Sequence, residues 1–169
     1  MFLAITSNIT YAESQMSQSS GDTPSKWAKA EIDKAKEMNL IPEKLYEKYK
    51  SNIIREEFCE IAVNLYESLS GKKGVLQGEN PFSDTQNEKI IIANSLGIVN
   101  GIGNGKFAPE DPITRQEMAV MLYRTLQAAR PAYDYSGSYE HVFDDYESIS
   151  TWARKAVGYL YGIEVMNGV

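Results

Sequence analysis

Residues 113–118 read Ile-Thr-Arg-Gln-Glu-Met, and residues 53–58 read Ile-Ile-Arg-Glu-Glu-Phe. Arg55 and Arg115 stand sixty positions apart, as do Glu57 and Glu117, so the chain repeats itself internally. After each motif, apolar residues follow helical spacing. They are Phe58, Ile61, Ala62, Leu65 and Leu69 in the first copy, and Met118, Met121, Leu122 and Ala129 in the second, with Thr125 the one polar interruption. Each motif therefore opens an amphipathic helix. Thr114 falls where an N-cap belongs and Glu117 follows at the spacing of a capping box, so both read as structural caps. Ile54 has no side-chain acceptor, and the first motif helix is expected to start with less well satisfied backbone groups.

A second helical stretch recurs upstream. Trp27-Ala28-Lys29-Ala30-Glu31-Ile32 leads to Asn39-Leu40-Ile41-Pro42, and Trp152-Ala153-Arg154-Lys155-Ala156-Val157 leads to Val165-Met166-Asn167-Gly168. The middle copy lacks the tryptophan but has Ile90, Ile91, Ile92 and Ala93 before Gly97-Ile98-Val99-Asn100-Gly101. Asn39 and Gly97 are placed for left-handed C-caps. The stretch 101–109 is punctuated by Gly and Pro and reads as a loop. The chain is thus expected to be all-α, built of helix–loop–helix units at 25–70, 82–129 and 143–169. An inter-repeat loop at 130–142 carries Tyr133, Tyr135 and Tyr139. The third unit has no loop or Arg motif and reads as truncated.

Residues 1–12 contain no charge and end in Thr10-Tyr11-Ala12, like the back half of a secretory signal without its basic start. They read as a signal-peptide remnant, which implies export. Residues 13–24, rich in Ser, Gln and Gly, read as a flexible linker.

Composition narrows the chemistry. The chain has 169 residues, 17 Lys+Arg against 23 Asp+Glu, one His and one Cys. A net charge of −6 argues against a general nucleic-acid binder or an anionic-membrane surface. One Cys and one His leave no Cys-rich or His-rich metal site, and no cofactor is expected. Cys59 reads as a small buried hydrophobe and His141 as structural. The pairs Glu56-Glu57 and Asp144-Asp145 are adjacent, so their side chains diverge and make poor acid–base couples. The Gly-rich run 101–105 lacks the features of a phosphate loop. No membrane-length apolar run is present.

The order Phe82-Ser83-Asp84, Gly97-Ile98-Val99-Asn100-Gly101, Gly105-Lys106-Phe107-Ala108-Pro109, Ile113-Thr114-Arg115-Gln116-Glu117 resembles a complete repeat of the S-layer homology (SLH) family. The outer copies are more degenerate: the first has Ile54 in place of Thr and lacks the Gly-x-Phe-x-Pro loop, and the third has Phe143-Asp144-Asp145 and Trp152. The resemblance implies repeats in a pseudo-threefold spindle, here incomplete at the C-terminal end. It also implies non-covalent attachment of a secreted protein to the bacterial cell wall. The partner implied is a secondary cell-wall polysaccharide linked to peptidoglycan, commonly pyruvylated, held in grooves between repeats.

Within that frame Arg115, then Arg55, are the leading ligand contacts. A planar guanidinium forks onto a carboxylate, and a helix start adds free N–H groups. The competing reading pairs each Arg with a nearby carboxylate that only fixes packing. Asp84 and Asp144 suit hydrogen bonds to sugar hydroxyls, but the capping of turns is the preferred reading. Trp27 and Trp152 suit stacking on sugar rings, although helical tryptophans among apolar neighbours belong more often in a core. Gly101 permits close approach by a ligand or by another segment. No catalytic or metal site is expected. The alternatives are a protein–protein assembly scaffold without glycan binding, or a fragment of a larger exoenzyme. Apolar surface left by the incomplete third unit is expected to favour self-association.

Overall fold

The computed structural model describes residues 22–137 and 143–167. The signal-like stretch, most of the linker, Tyr139 and His141 lie outside them. Among the described residues the chain is all-α, with five α-helices and no strand. They are α1 (Lys29–Glu37), α2 (Arg55–Ser70), α3 (Glu88–Ser95), α4 (Arg115–Ala129) and α5 (Thr151–Gly162), with short 3₁₀ turns at Glu43–Leu45 and Tyr146–Ser148. No described helix is long and apolar enough to cross a membrane.

The long motif helices α2 and α4 pack against each other, α3 lies on α2, and α5 lies on α4. The helix α4 therefore has two buried sides. Met121 faces a cluster with Cys59, Val63, Ile90, Ile98 and Phe107, while Ala119 and Tyr123 face a second with Ala153, Val157, Tyr159 and Leu160. This two-sided burial explains Thr125. It is fully buried, and its hydroxyl donates to the Met121 carbonyl one turn back at 2.8 Å, so its polar group is satisfied inside the helix.

The stripe expected on α2 is rotated. Its buried residues are Arg55, Cys59, Ala62, Val63 and Tyr66, whereas Phe58, Ile61, Leu65 and Leu69 are only partly covered. The reason is tertiary: α2 must present one face to both α3 and α4. Cys59 is the small buried hydrophobe expected, and its burial pushes the thiol pKa up to about 12.

Three helices end in the same turn. Asn39, Gly97 and Glu164 take left-handed φ values of 55°, 72° and 60°. In each case the next amide donates back to the helix: Leu40 to the Ala35 carbonyl, Ile98 to Ala93 and Val165 to Leu160, at 2.9, 2.8 and 2.8 Å. Sequence reading placed the first two caps. It missed Glu164, because glutamate carries no left-handed preference to reveal the position.

Candidate functional site

The loop between α3 and α4 organises the region around the two arginines. The stretch Phe82-Ser83-Asp84 holds this loop from one side. The Asp84 carboxylate accepts from the backbone N–H groups of Phe107 and Ala108, each at 2.9 Å, and the Ser83 N–H donates to the Gly105 carbonyl at 2.8 Å. The Phe107 and Ala108 amides, the former foremost, hold the Asp84 carboxyl below its usual range. Ala108 has φ 59°, a costly conformation for a residue with a side chain, and Asp84 grips its amide. Asp84 therefore braces the loop with both oxygens. Gly101 belongs to the same brace. A Cβ there would lie 2.5 Å from the Lys106 carbonyl oxygen and 2.9 Å from the Phe82 ring, so its missing side chain lets the loop close on itself.

From the other side the loop is gripped by Arg55. This residue is buried; its Nε donates to the Phe107 carbonyl at 3.1 Å and its Nη1 to Glu117 Oε1 at 2.8 Å. Its guanidinium also lies 4.9 Å from the centre of the buried Phe107 ring. The carboxylate-paired packing reading describes Arg55 in this geometry.

The start of α2 is better satisfied than Ile54 led us to expect. The N–H of Arg55 donates to the Asp111 carbonyl at 2.9 Å and that of Glu56 to the Pro109 carbonyl at 3.0 Å. The Ile54 N–H itself donates to Glu57 Oε2 at 3.1 Å. Carbonyls of the following unit take the place of the absent capping hydroxyl.

At the start of α4, Thr114 and Glu117 form the capping box. The Glu117 N–H donates to Thr114 Oγ1 at 3.3 Å, and Glu117 Oε2 accepts from the Thr114 N–H at 2.9 Å and its hydroxyl at 2.7 Å. Partial burial pushes the Glu117 pKa up. The two Thr114 donors and the Arg55 charge more than reverse this, leaving the carboxyl below its usual range.

Arg115 differs from Arg55. It is exposed, and one terminal nitrogen donates to the Asn167 carbonyl at 3.0 Å. The next residue, Gln116, accepts from the Ser150 N–H at 3.0 Å, which ties the start of α5 to the start of α4. Trp152, two residues after Ser150, has 57% of its surface exposed. Trp27 is 85% exposed. The expectation that helical tryptophans are core is thus corrected: Trp152 stands at the start of α5, ahead of the residues that face inward, and Trp27 precedes α1, which has no buried residue. Gln116 is a tether that sequence reading did not find, since nothing in the sequence pairs residues from different units.

Asp144 is exposed and accepts no hydrogen bond from the described residues. Counted from the phenylalanines, Asp145 rather than Asp144 holds the place of Asp84. Tyr135 is partly buried, donating to the Leu126 carbonyl at 2.6 Å and stacking edge-on with Tyr123. It closes the second core, whereas Tyr133 is exposed.

Comparison with known proteins matches residues 81–119 to the S-layer homology domain. This stretch contains the Asp84 brace, the Phe107 loop and the Arg115 motif. The chain is also 38% identical over 97 residues to an endoglucanase of Bacillus sp. (strain KSM-635), covering 52% of this chain and 10% of that protein. It is 39% identical over 82 residues to an amylopullulanase of Thermoanaerobacterium thermosulfurigenes, covering 45% of this chain and 4% of that protein. It is 37% identical over 82 residues to the exoglucanase XynX of Acetivibrio thermocellus, covering 45% of this chain and 8% of that protein. The chain therefore spans a tenth or less of each of these relatives. Residues 81–119, which hold the Asp84 brace, the Phe107 loop and the capped start of α4, are thus similar to an S-layer homology domain.

Proposed function

We propose that this chain is a non-catalytic module that attaches a secreted protein to the bacterial cell wall by binding an acidic, pyruvylated secondary wall polysaccharide. The observation that carries the reading is the contrast between the two motif arginines. Arg55 is closed in by Glu117 and the Phe107 loop, while Arg115 presents an exposed guanidinium at a capped helix start. A ketal carboxylate would accept from that fork, and the positive end of α4 adds to the attraction. The exposed Trp152 ring, two residues beyond the Ser150 tether to Gln116, offers a surface for sugar C–H groups. The groove proposed lies between the units 82–129 and 143–169.

The relatives support binding rather than catalysis as the shared property. Their names differ, and what this chain shares with each is a tenth or less of its length. Any activity of a parent protein would then reside outside the shared part. For the first unit the buried Arg55 favours the packing role, so we assign Arg115 and Trp152, and neither Arg55, Asp84 nor Gly101, to glycan contact.

The test is cosedimentation of the chain with purified wall polysaccharide before and after chemical removal of pyruvate. Arg115→Ala should weaken binding at least tenfold, as should depyruvylation, a loss of about 1.4 kcal/mol. Unchanged binding in both arms would overturn the reading.

A further inference from the structure

A second polar site lies at the other end of α2. This helix has 16 residues and is about 24 Å long, so its C-terminal turn is remote from Arg55 at its start. There the end of α1, the last two turns of α2, the segment after it and the start of α3 border a solvent-open cleft of about 450 Å³. That volume lies in the range of small-molecule sites. Its charged lining consists of Lys72, Lys73 and Lys89 against one carboxylate, Glu67, in a chain of net charge −6.

The cleft is built, and it has donors to spare. Glu67 accepts from Lys73 Nζ at 2.8 Å, from Lys89 Nζ at 3.3 Å and from the Gly74 N–H at 3.0 Å. Asn64 accepts from Lys89 Nζ at 3.3 Å and donates to the Leu40 carbonyl at 3.2 Å, fixing the turn after α1 to α2. One carboxylate thus meets two ammonium groups. The Lys72 ammonium, the Ser68 hydroxyl and the Asn39 amide have no side-chain partner among the described residues. An excess of two positive charges with spare donors calls for an anion rich in acceptors. Space beyond a bare ion, walled by amide and hydroxyl groups, suits a hydroxylated carrier of that charge.

We infer that this cleft binds a sugar bearing a carboxylate or phosphate, with Lys72 and Lys73 contacting the anionic group. The site is independent of the Arg115 groove and stands whether or not that groove binds glycan.

The test is titration of the full ¹⁵N-labelled chain with glucuronate, with glucose 6-phosphate and with glucose, at matched ionic strength. The expected result is saturable shifts at Lys72, Lys73, Lys89 and Asn39 with at least one of the anions, and none with glucose. Whichever anion binds tighter distinguishes carboxylate from phosphate as the source. Lys72→Gln/Lys73→Gln, both exposed, should weaken that binding at least tenfold with an unchanged helical circular dichroism spectrum. Linear shifts equal to those produced by sodium chloride would overturn the inference. So would saturable shifts confined to the Arg115 region with none at Lys72, Lys73 and Lys89, or undiminished binding by the folded double variant.

Discussion

Arg55 has exchanged water for the Phe107 carbonyl, the Glu117 carboxylate and the face of the Phe107 ring, so its removal strands groups on two segments. Arg55→Ala should destabilise the fold by about 3 kcal/mol, because it leaves a carboxylate and a carbonyl without their buried donor. Arg115→Ala removes an exposed side chain and should leave stability within about 0.5 kcal/mol of the parent. Urea titration of both variants checks the contrast, and equal losses would contradict it. Glu117 links the pair to pH. Its folded pKa is depressed, so its contribution is full above the ordinary carboxylate range, near about 4.3, and is lost as pH falls through the lower folded value. Glu117→Gln should therefore lose less stability than the parent between about pH 5 and pH 2. Parallel acid curves for the two proteins would show that Glu117 does not titrate in this way. The motif arginines were legible in the sequence as a pair, but their opposite environments were not. The partners of Arg55 lie more than fifty positions away in another unit.

At the scale of elements, the common device is the left-handed turn that ends α1, α3 and α5. Asn and Gly tolerate it, whereas Glu164 at φ 60° pays a side-chain cost. Glu164→Gly should raise stability by about 0.5–1 kcal/mol, less whatever the added freedom of the unfolded chain removes. A lowered melting temperature would show that the Glu164 side chain contributes more than its strain. The starts of α2 and α4 illustrate how far helix signals carry. The capping box of α4 is local, within four residues, and so could be read directly. The start of α2 is completed by the Pro109 and Asp111 carbonyls, which no local pattern reveals.

For the molecule as a whole, α4 is the shared wall of two apolar clusters, so the described units should not unfold separately. Leu160, almost fully buried in the second cluster, tests this. Leu160→Ala should cost about 3 kcal/mol, and far-UV circular dichroism and the near-UV circular dichroism of the buried tyrosines should still report one coincident transition. Separated transitions would mean that the clusters are independent. The sequence by itself determined the helical class, the left-handed turns at Asn39 and Gly97 and the α4 capping box, since each depends on residues within about one or two turns of one another, and self-comparison showed the sixty-residue repetition. It also singled out the arginines, the braced loop and Trp152 as the chemistry worth locating. Only the tertiary structure decided which face of α2 is buried, that both tryptophans are exposed, that Asp84 and Gly101 close a loop, and that Arg55 is enclosed while Arg115 stands open. The physical reason is range. Periodicity and caps are written into neighbouring residues, whereas burial and pairing depend on which distant segments arrive to exclude water.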